Sequence, residues 1–209
     1  MTDVLAQVQE AEGHKQRGND FVKEKEYKKA LGAYHKVFLY VNYLQLPGEK
    51  NEASSYADLM GKNGQPQVPA ELVEDVKRLK QSTSLNMALC YLKTTQYQKC
   101  VDACTKALAG IQSSKAYFRR GEAQLELGNL DEARQDLETA HGLEPESREI
   151  AALMQRLKKA EAQQHAKEKK CFAKMFAGKA SEGAKDGNGA DKSADACTDG
   201  VPETAPAES

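Results

Sequence analysis

The sequence predicts an all-α fold of stacked helix pairs. Three observations predict it. Apolar residues recur at spacings of three and four over most of residues 4–163. The chain is rich in Ala, Leu, Glu, Lys and Gln, with six prolines and no tryptophan. One pattern of small and large residues occurs three times, the mark of a repeat architecture.

The first helix pair lies within residues 4–40, broken at Glu24-Lys25-Glu26. From Gln45 to Pro69 the character changes: Pro47-Gly48, Gly61, Asn63-Gly64 and Pro66 mark a long connection. Pro69 suits the first turn of the next helix, with Glu71 and Glu74 near the positive end of its dipole. Helical periodicity resumes through Val73, Val76, Leu79, Leu85, Leu89 and Leu92 and continues to about Gln163. A last amphipathic helix is signalled by Ile150, Leu153, Leu157 and Ala160. Beyond Gly178 the composition reduces to Gly, Ala, Ser, Asp, Lys and Pro, so residues 180–209 are expected to be a disordered tail.

The copies align on Gly18, Ala88 and Gly121. Three residues on stand Phe21, Tyr91 and Gln124, the last departing from the aromatic pattern. Twelve on stand Ala30, Cys100 and Ala133; four further are Tyr34, Cys104 and Leu137, then Val37, Ala107 and Ala140. Small residues on both helices of a pair permit close approach, and larger ones fill the remaining space. No pair buries its apolar side alone, so the pairs stack as a solenoid.

Over roughly residues 8–145 this pattern resembles the tetratricopeptide repeat, whose period is about 34 residues. The most specific copy is KAYFRRGEAQLELGNLDEARQDLETAHGLEP. The resemblance implies three helix pairs in a right-handed solenoid plus a capping helix. The expected layout is a domain over 1–179, with repeats at about 11–44, 81–113 and 114–147, an insertion at 45–80 and a capping helix at about 148–176.

Five polar residues stand out. Lys15 and Asn19 are four apart on the first helix of repeat one, and Lys115 and Arg119 repeat that pairing on the first helix of repeat three. Asn86 sits on the first helix between them. First helices line the concave face of such a stack, so three cations and two amides are expected to converge on one groove. That chemistry suits carboxylates at the end of an extended peptide, where charge-assisted bonds contribute about 1.5–3 kcal/mol each. The set resembles the carboxylate clamp of chaperone-binding tetratricopeptide domains, which grips the C-terminal Glu-Glu-Val-Asp of cytosolic Hsp90 or Hsp70. Lys15 and Asn19 match in HKQRGNDFVKEKEYKKALGAYHK, Asn86 in SLNMALCYLK, and Lys115 and Arg119 in KAYFRR. Arg120 and Lys106, near the same face, read as ordinary solvated charge.

From Arg156 to Lys179 there are eight Lys or Arg against Glu161 and Glu168, with Phe172, Met175 and Phe176 among them. The run KEKKCFAKMFA resembles the end of the tetratricopeptide domain in large FK506-binding immunophilins, although nothing here has room for their isomerase domain. A basic amphipathic helix of this kind also suits calmodulin or an acidic membrane surface.

Other classes find little support. Lys plus Arg is 30 and Asp plus Glu is 31, so overall charge favours neither nucleic acid nor membrane. Met1-Thr2-Asp3-Val4-Leu5 runs into polar residues without the apolar stretch of a secretory signal, and no apolar run approaches a membrane span. Cys90, Cys100, Cys104, Cys171 and Cys197 are odd in number without a CxxC pair, which fits free thiols in a reducing compartment. Cys100 and Cys104 read as small packing residues. His14, His35, His141 and His165 belong to no catalytic or metal motif, and no phosphate loop or GxSxG occurs. The expectation is a cytoplasmic binding protein, not an enzyme, without metal or cofactor. It docks an Hsp90 or Hsp70 C-terminal peptide. The alternatives are a repeat scaffold for an unrelated partner and a calmodulin- or membrane-regulated protein acting through residues 156–179.

Overall fold

Residues 2–42, 44, 46 and 67–182 are described by a computed structural model, and among them the chain forms seven helices and no strands. They are α1 (Thr2–Lys23), α2 (Tyr27–Val41), α3 (Ala70–Lys93), α4 (Tyr97–Leu108), α5 (Ser114–Leu127), α6 (Leu130–Leu143) and α7 (Arg148–Glu182). Two compact units divide the chain, Met1–Leu157 and Lys158–Ser209, so the break falls inside α7.

In the first unit α1 pairs with α2, α3 with α4 and α5 with α6, and each pair packs on the next. Small residues set the spacing within pairs. A Cβ on Gly18 would lie 2.4 Å from the Tyr34 ring, and one on Gly121 would lie 3.0 Å from Leu137. In the middle pair the facing residue is Cys104, smaller than Tyr or Leu, and Ala88 takes the place of glycine in the same cluster. The residue tolerated on one helix thus tracks the bulk opposite it.

The turns inside the pairs repeat as well. Glu26, Gln96 and Asn129 each donate their backbone N–H to the carbonyl of Phe21, Tyr91 and Gln124, all at 2.9 Å. Closing the turn requires positive φ at Lys25 (62°), Thr95 (58°) and Gly128 (84°), and only the third copy supplies the glycine that adopts it without strain. The third copy also explains its missing aromatic, because Asn129 Nδ2 donates to Gln124 Oε1 at 2.7 Å and braces the turn.

Three clusters make the core. The central one joins the first two pairs through Tyr34, Met87, Ala88, Tyr91, Cys100 and Cys104. A second lies where the helices outrun an ordinary repeat. There Val4, Val8 and Ala11 of α1 meet Val37 and Val41 of α2, and Leu44, Leu46 and Val68 close over Val76 and Leu79 of α3. Parts of the expected long connection are therefore core, and α3 carries some ten residues of the insertion as added helix. The third cluster caps the stack: Leu153 and Leu157 of α7 cover Ala133 and Leu137, with Phe118 and Leu125 alongside. Arg156 adds a 2.6 Å bond to Glu126.

In the second unit α7 runs to Glu182, somewhat past the expected 176, with Phe172 and Met175 each 64% exposed. The side chain of Phe176 and residues 183–209 of the expected tail lie outside what is described, as does most of the loop from Gln45 to Pro66. Among the described residues no helix is long and apolar enough to cross a membrane.

Candidate peptide-binding site

The five residues singled out by spacing sit on α1, α3 and α5, the first helices of the three pairs. Two of them are bonded to each other, and a third is tied to the helix between them. Asn86 Nδ2 donates to Asn19 Oδ1 at 2.9 Å, linking the second pair to the first. Arg119 donates from a terminal guanidinium nitrogen to the Leu85 carbonyl at 2.5 Å, which ties α5 to α3 one residue from Asn86. That bond uses one of five guanidinium donors and leaves the rest of the fork for a ligand. Lys15 and Lys115 are placed one turn before Asn19 and Arg119 on the same helix faces. Lys15 is half-buried and Lys115 exposed, and neither forms an ion pair among the described residues.

The amide of Asn19 is held twice. Tyr34 Oη donates to the same Oδ1 at 2.9 Å, so the oxygen accepts from α2 and α3 together. Tyr34 is fully buried, and burial pushes its hydroxyl up to about 12, which keeps it a donor at any physiological pH. With the oxygen engaged, the Asn19 Nδ2 group is what remains for an acceptor in the groove. Spacing gave Tyr34 only a packing role. The hint of more was a hydroxyl at a position where the other copies carry Cys104 and Leu137.

Arg120 corrects an expectation. It is not a solvated charge: Nε and one terminal nitrogen reach Asp136 at 2.8 and 2.6 Å, and Asp136 is 5% exposed. The Asp136 carboxylate hydrogen-bonded to it holds the guanidinium above its usual range. This fork locks α5 to α6 and leaves Arg119, its sequence neighbour, as the arginine available to a ligand. Lys106 is exposed on α4, as expected.

The other polar and sulfur groups have structural surroundings. His14 stacks on Tyr40 with ring centroids 5.5 Å apart. Cys90, Cys100 and Cys104 are buried free thiols. A hydrogen bond to Cys104 and burial push the Cys100 thiol up, and burial pushes Cys90 up to about 11, so both are poor nucleophiles. Among the described residues no group of three metal-ligating side chains gathers.

Comparison with known proteins places the geometry in context. The tetratricopeptide repeat model matches residues 114–147. The mouse peptidyl-prolyl cis-trans isomerase FKBP4 is 31% identical over 167 residues, covering 78% of this chain and 31% of the relative. The chain therefore spans about a third of the length of that relative. The C-terminal tetratricopeptide-containing domain of a Plasmodium falciparum FK506-binding protein superimposes with a TM-score of 0.61 at 26% identity, over 76% of this chain and 93% of that one. The second such domain of human RPAP3, solved in complex with the HSP70 peptide SGPTIEEVD, gives a TM-score of 0.52 at 26% identity, over 74% of this chain and 98% of that one. Calmodulin gains no support from these comparisons.

Proposed function

Since the chain is a tetratricopeptide-repeat protein homologous to the repeat region of FKBP4, we propose that it is a cytoplasmic cochaperone or adaptor docking the acidic C-terminal peptide of an Hsp70 or Hsp90 chaperone. The repeat domain is a protein-interaction module, and we read the chain as a binder without isomerase activity. One observation carries the reading. Asn19 and Asn86, from the first two repeats, are hydrogen-bonded to each other, and Arg119 of the third is anchored on the Leu85 carbonyl next to Asn86, with Lys15 and Lys115 one turn from Asn19 and Arg119 on their helices.

The division of labour follows from the donors. Lys15, Lys115 and Arg119 bind the two carboxylates of a C-terminal aspartate, while the amides of Asn19 and Asn86 bind the terminal carboxylate and the preceding peptide unit. Three of the five groups are cations that answer an ionised carboxylate, so the site selects a free acid over an amide. After ordering costs, such a set gives an affinity around micromolar. The RPAP3 domain bound to SGPTIEEVD supports this chemistry in a similar fold.

The test compares Lys15→Ala and Arg119→Ala with deletion of residues 165–179. Under this reading the two substitutions abolish binding of an EEVD-ending peptide while helical content is unchanged, and the deletion leaves binding intact. Binding that survives both substitutions would hand the groove to an unrelated partner.

A further inference from the structure

Packing accounts for most directions around α5. Counting about 100° per residue from Lys115, Ala116 and Ala123 lie at about 100° and 80°. Both are fully buried, and Ala123 belongs to the central cluster with Cys100 and Cys104 of α4. Gly121, at about 240°, meets Leu137 of α6. Phe118 and Leu125, at about 300° and 280°, join the cluster of Leu153 and Leu157 of α7. What remains is the arc around Lys115 and Arg119, which carries the third-repeat share of the candidate clamp. Two more side chains fall in that arc, and both are acids: Glu122 at about 340° and Glu126 at about 20°. Glu126 is taken by Arg156 at 2.6 Å. Glu122 is half-buried and forms no side-chain hydrogen bond or ion pair among the described residues. Neither of its oxygens is sealed from solvent.

The repeat register marks the same residue. Glu122 follows Gly121 as Asn19 follows Gly18, so it is the third-copy counterpart of Asn19. The Asn19 oxygen is filled from beneath by Tyr34. The third copy has Leu137 in the place of Tyr34, and a leucine side chain donates nothing. Arg119 stands three residues before Glu122 but reaches across to the Leu85 carbonyl instead. An ionised carboxylate is therefore left facing a groove whose other charged groups are cations.

We propose that Glu122 is a specificity residue of this groove. It pairs with a basic side chain that the ligand carries N-terminal to its final aspartate, and it repels an acid at that same place. This rests on the clamp reading above. Lys15, Lys115 and Arg119 draw in the acidic end of a ligand, yet an acid set beside Glu122 meets a like charge. A lysine or arginine there meets a carboxylate that nothing else satisfies, and a charge-assisted bond forms. The groove thus separates peptides that share one acidic ending by a single basic residue.

The test starts from the peptide SGPTIEEVD and places lysine or glutamate, one position at a time, at each of the seven residues before Val-Asp. Every peptide is titrated onto the full chain and onto Glu122→Gln and Glu122→Lys, with circular dichroism to check that the helices persist. At one position lysine should bind at least about fivefold more tightly than glutamate. That preference should vanish in Glu122→Gln and reverse in Glu122→Lys. Peptides that bind with no position preferring lysine would overturn the proposal and leave the clamp standing. So would a lysine preference that persists in Glu122→Gln. An equal change for every peptide would also overturn it, because Glu122 would then act on what all the peptides share. If no peptide binds at all, the clamp reading fails and this proposal falls with it.

Discussion

Asn86 of the second repeat donates a 2.9 Å hydrogen bond to Oδ1 of Asn19 in the first. This one contact orients both amides of the candidate clamp and couples the first two repeats. Tyr34 completes the arrangement from beneath by donating to the same oxygen.

Tyr34→Phe is therefore expected to weaken binding of a free-acid EEVD peptide about threefold to tenfold, the worth of one net hydrogen bond that orients a ligand-binding amide. The ring still fills the space against Gly18, so thermal stability should fall by only about 1 kcal/mol. Titration calorimetry beside a melting curve separates the two effects. Unchanged affinity would mean that Asn19 needs no support from α2.

Adding a methyl group at the two close glycines should cost unequal amounts. Gly18→Ala drives a Cβ to 2.4 Å from a fully buried tyrosine ring, while Gly121→Ala meets Leu137 at 3.0 Å, where a side chain can give slightly. Overpacking of this kind costs about 1–3 kcal/mol. Urea unfolding should place Gly18→Ala at the upper end and Gly121→Ala at the lower.

Asp136→Asn removes the charge from the buried fork with Arg120 and should destabilise the third pair by about 2–3 kcal/mol. Peptide binding at temperatures where the fold persists should be nearly unchanged, because Arg120 is engaged away from the groove. A large loss of affinity in the folded variant would move Arg120 into the binding set.

Thr95 holds φ of 58° in the turn where the third copy uses Gly128. A β-branched residue there is strained by roughly 1–2 kcal/mol. Thr95→Gly should accordingly raise stability by about 0.5–1 kcal/mol after the added freedom of the unfolded chain, measured as a shift in the urea midpoint.

How much of this was legible depended on how local the cause was. The helix pairs, the break at Glu24–Glu26 and the register of Gly18, Ala88 and Gly121 follow from periodicity and side-chain size, which the sequence displays directly. The candidate groove followed from the i, i+4 pairs, because helical spacing alone puts them on one face. The Arg120–Asp136 fork was not legible: the two are sixteen residues apart on different helices, and charges interspersed along a helix look solvated until the partner helix is in place. The hydroxyl of Tyr34 was hidden for the same reason. Leu44, Leu46 and Val68 lay among turn-forming residues, and their burial follows only from the lengthened α1 and α3 that they cover.

The central claim is that five side chains on three repeats read a free C-terminal carboxylate. The most direct measurement is calorimetric titration with a peptide ending in Met-Glu-Glu-Val-Asp, beside the same peptide amidated at its C-terminus. The account predicts micromolar binding of the free acid, lost on amidation and lost in Lys115→Ala. Equal binding of the acid and the amide, or none by either, would contradict it and leave the repeat fold without a clamp.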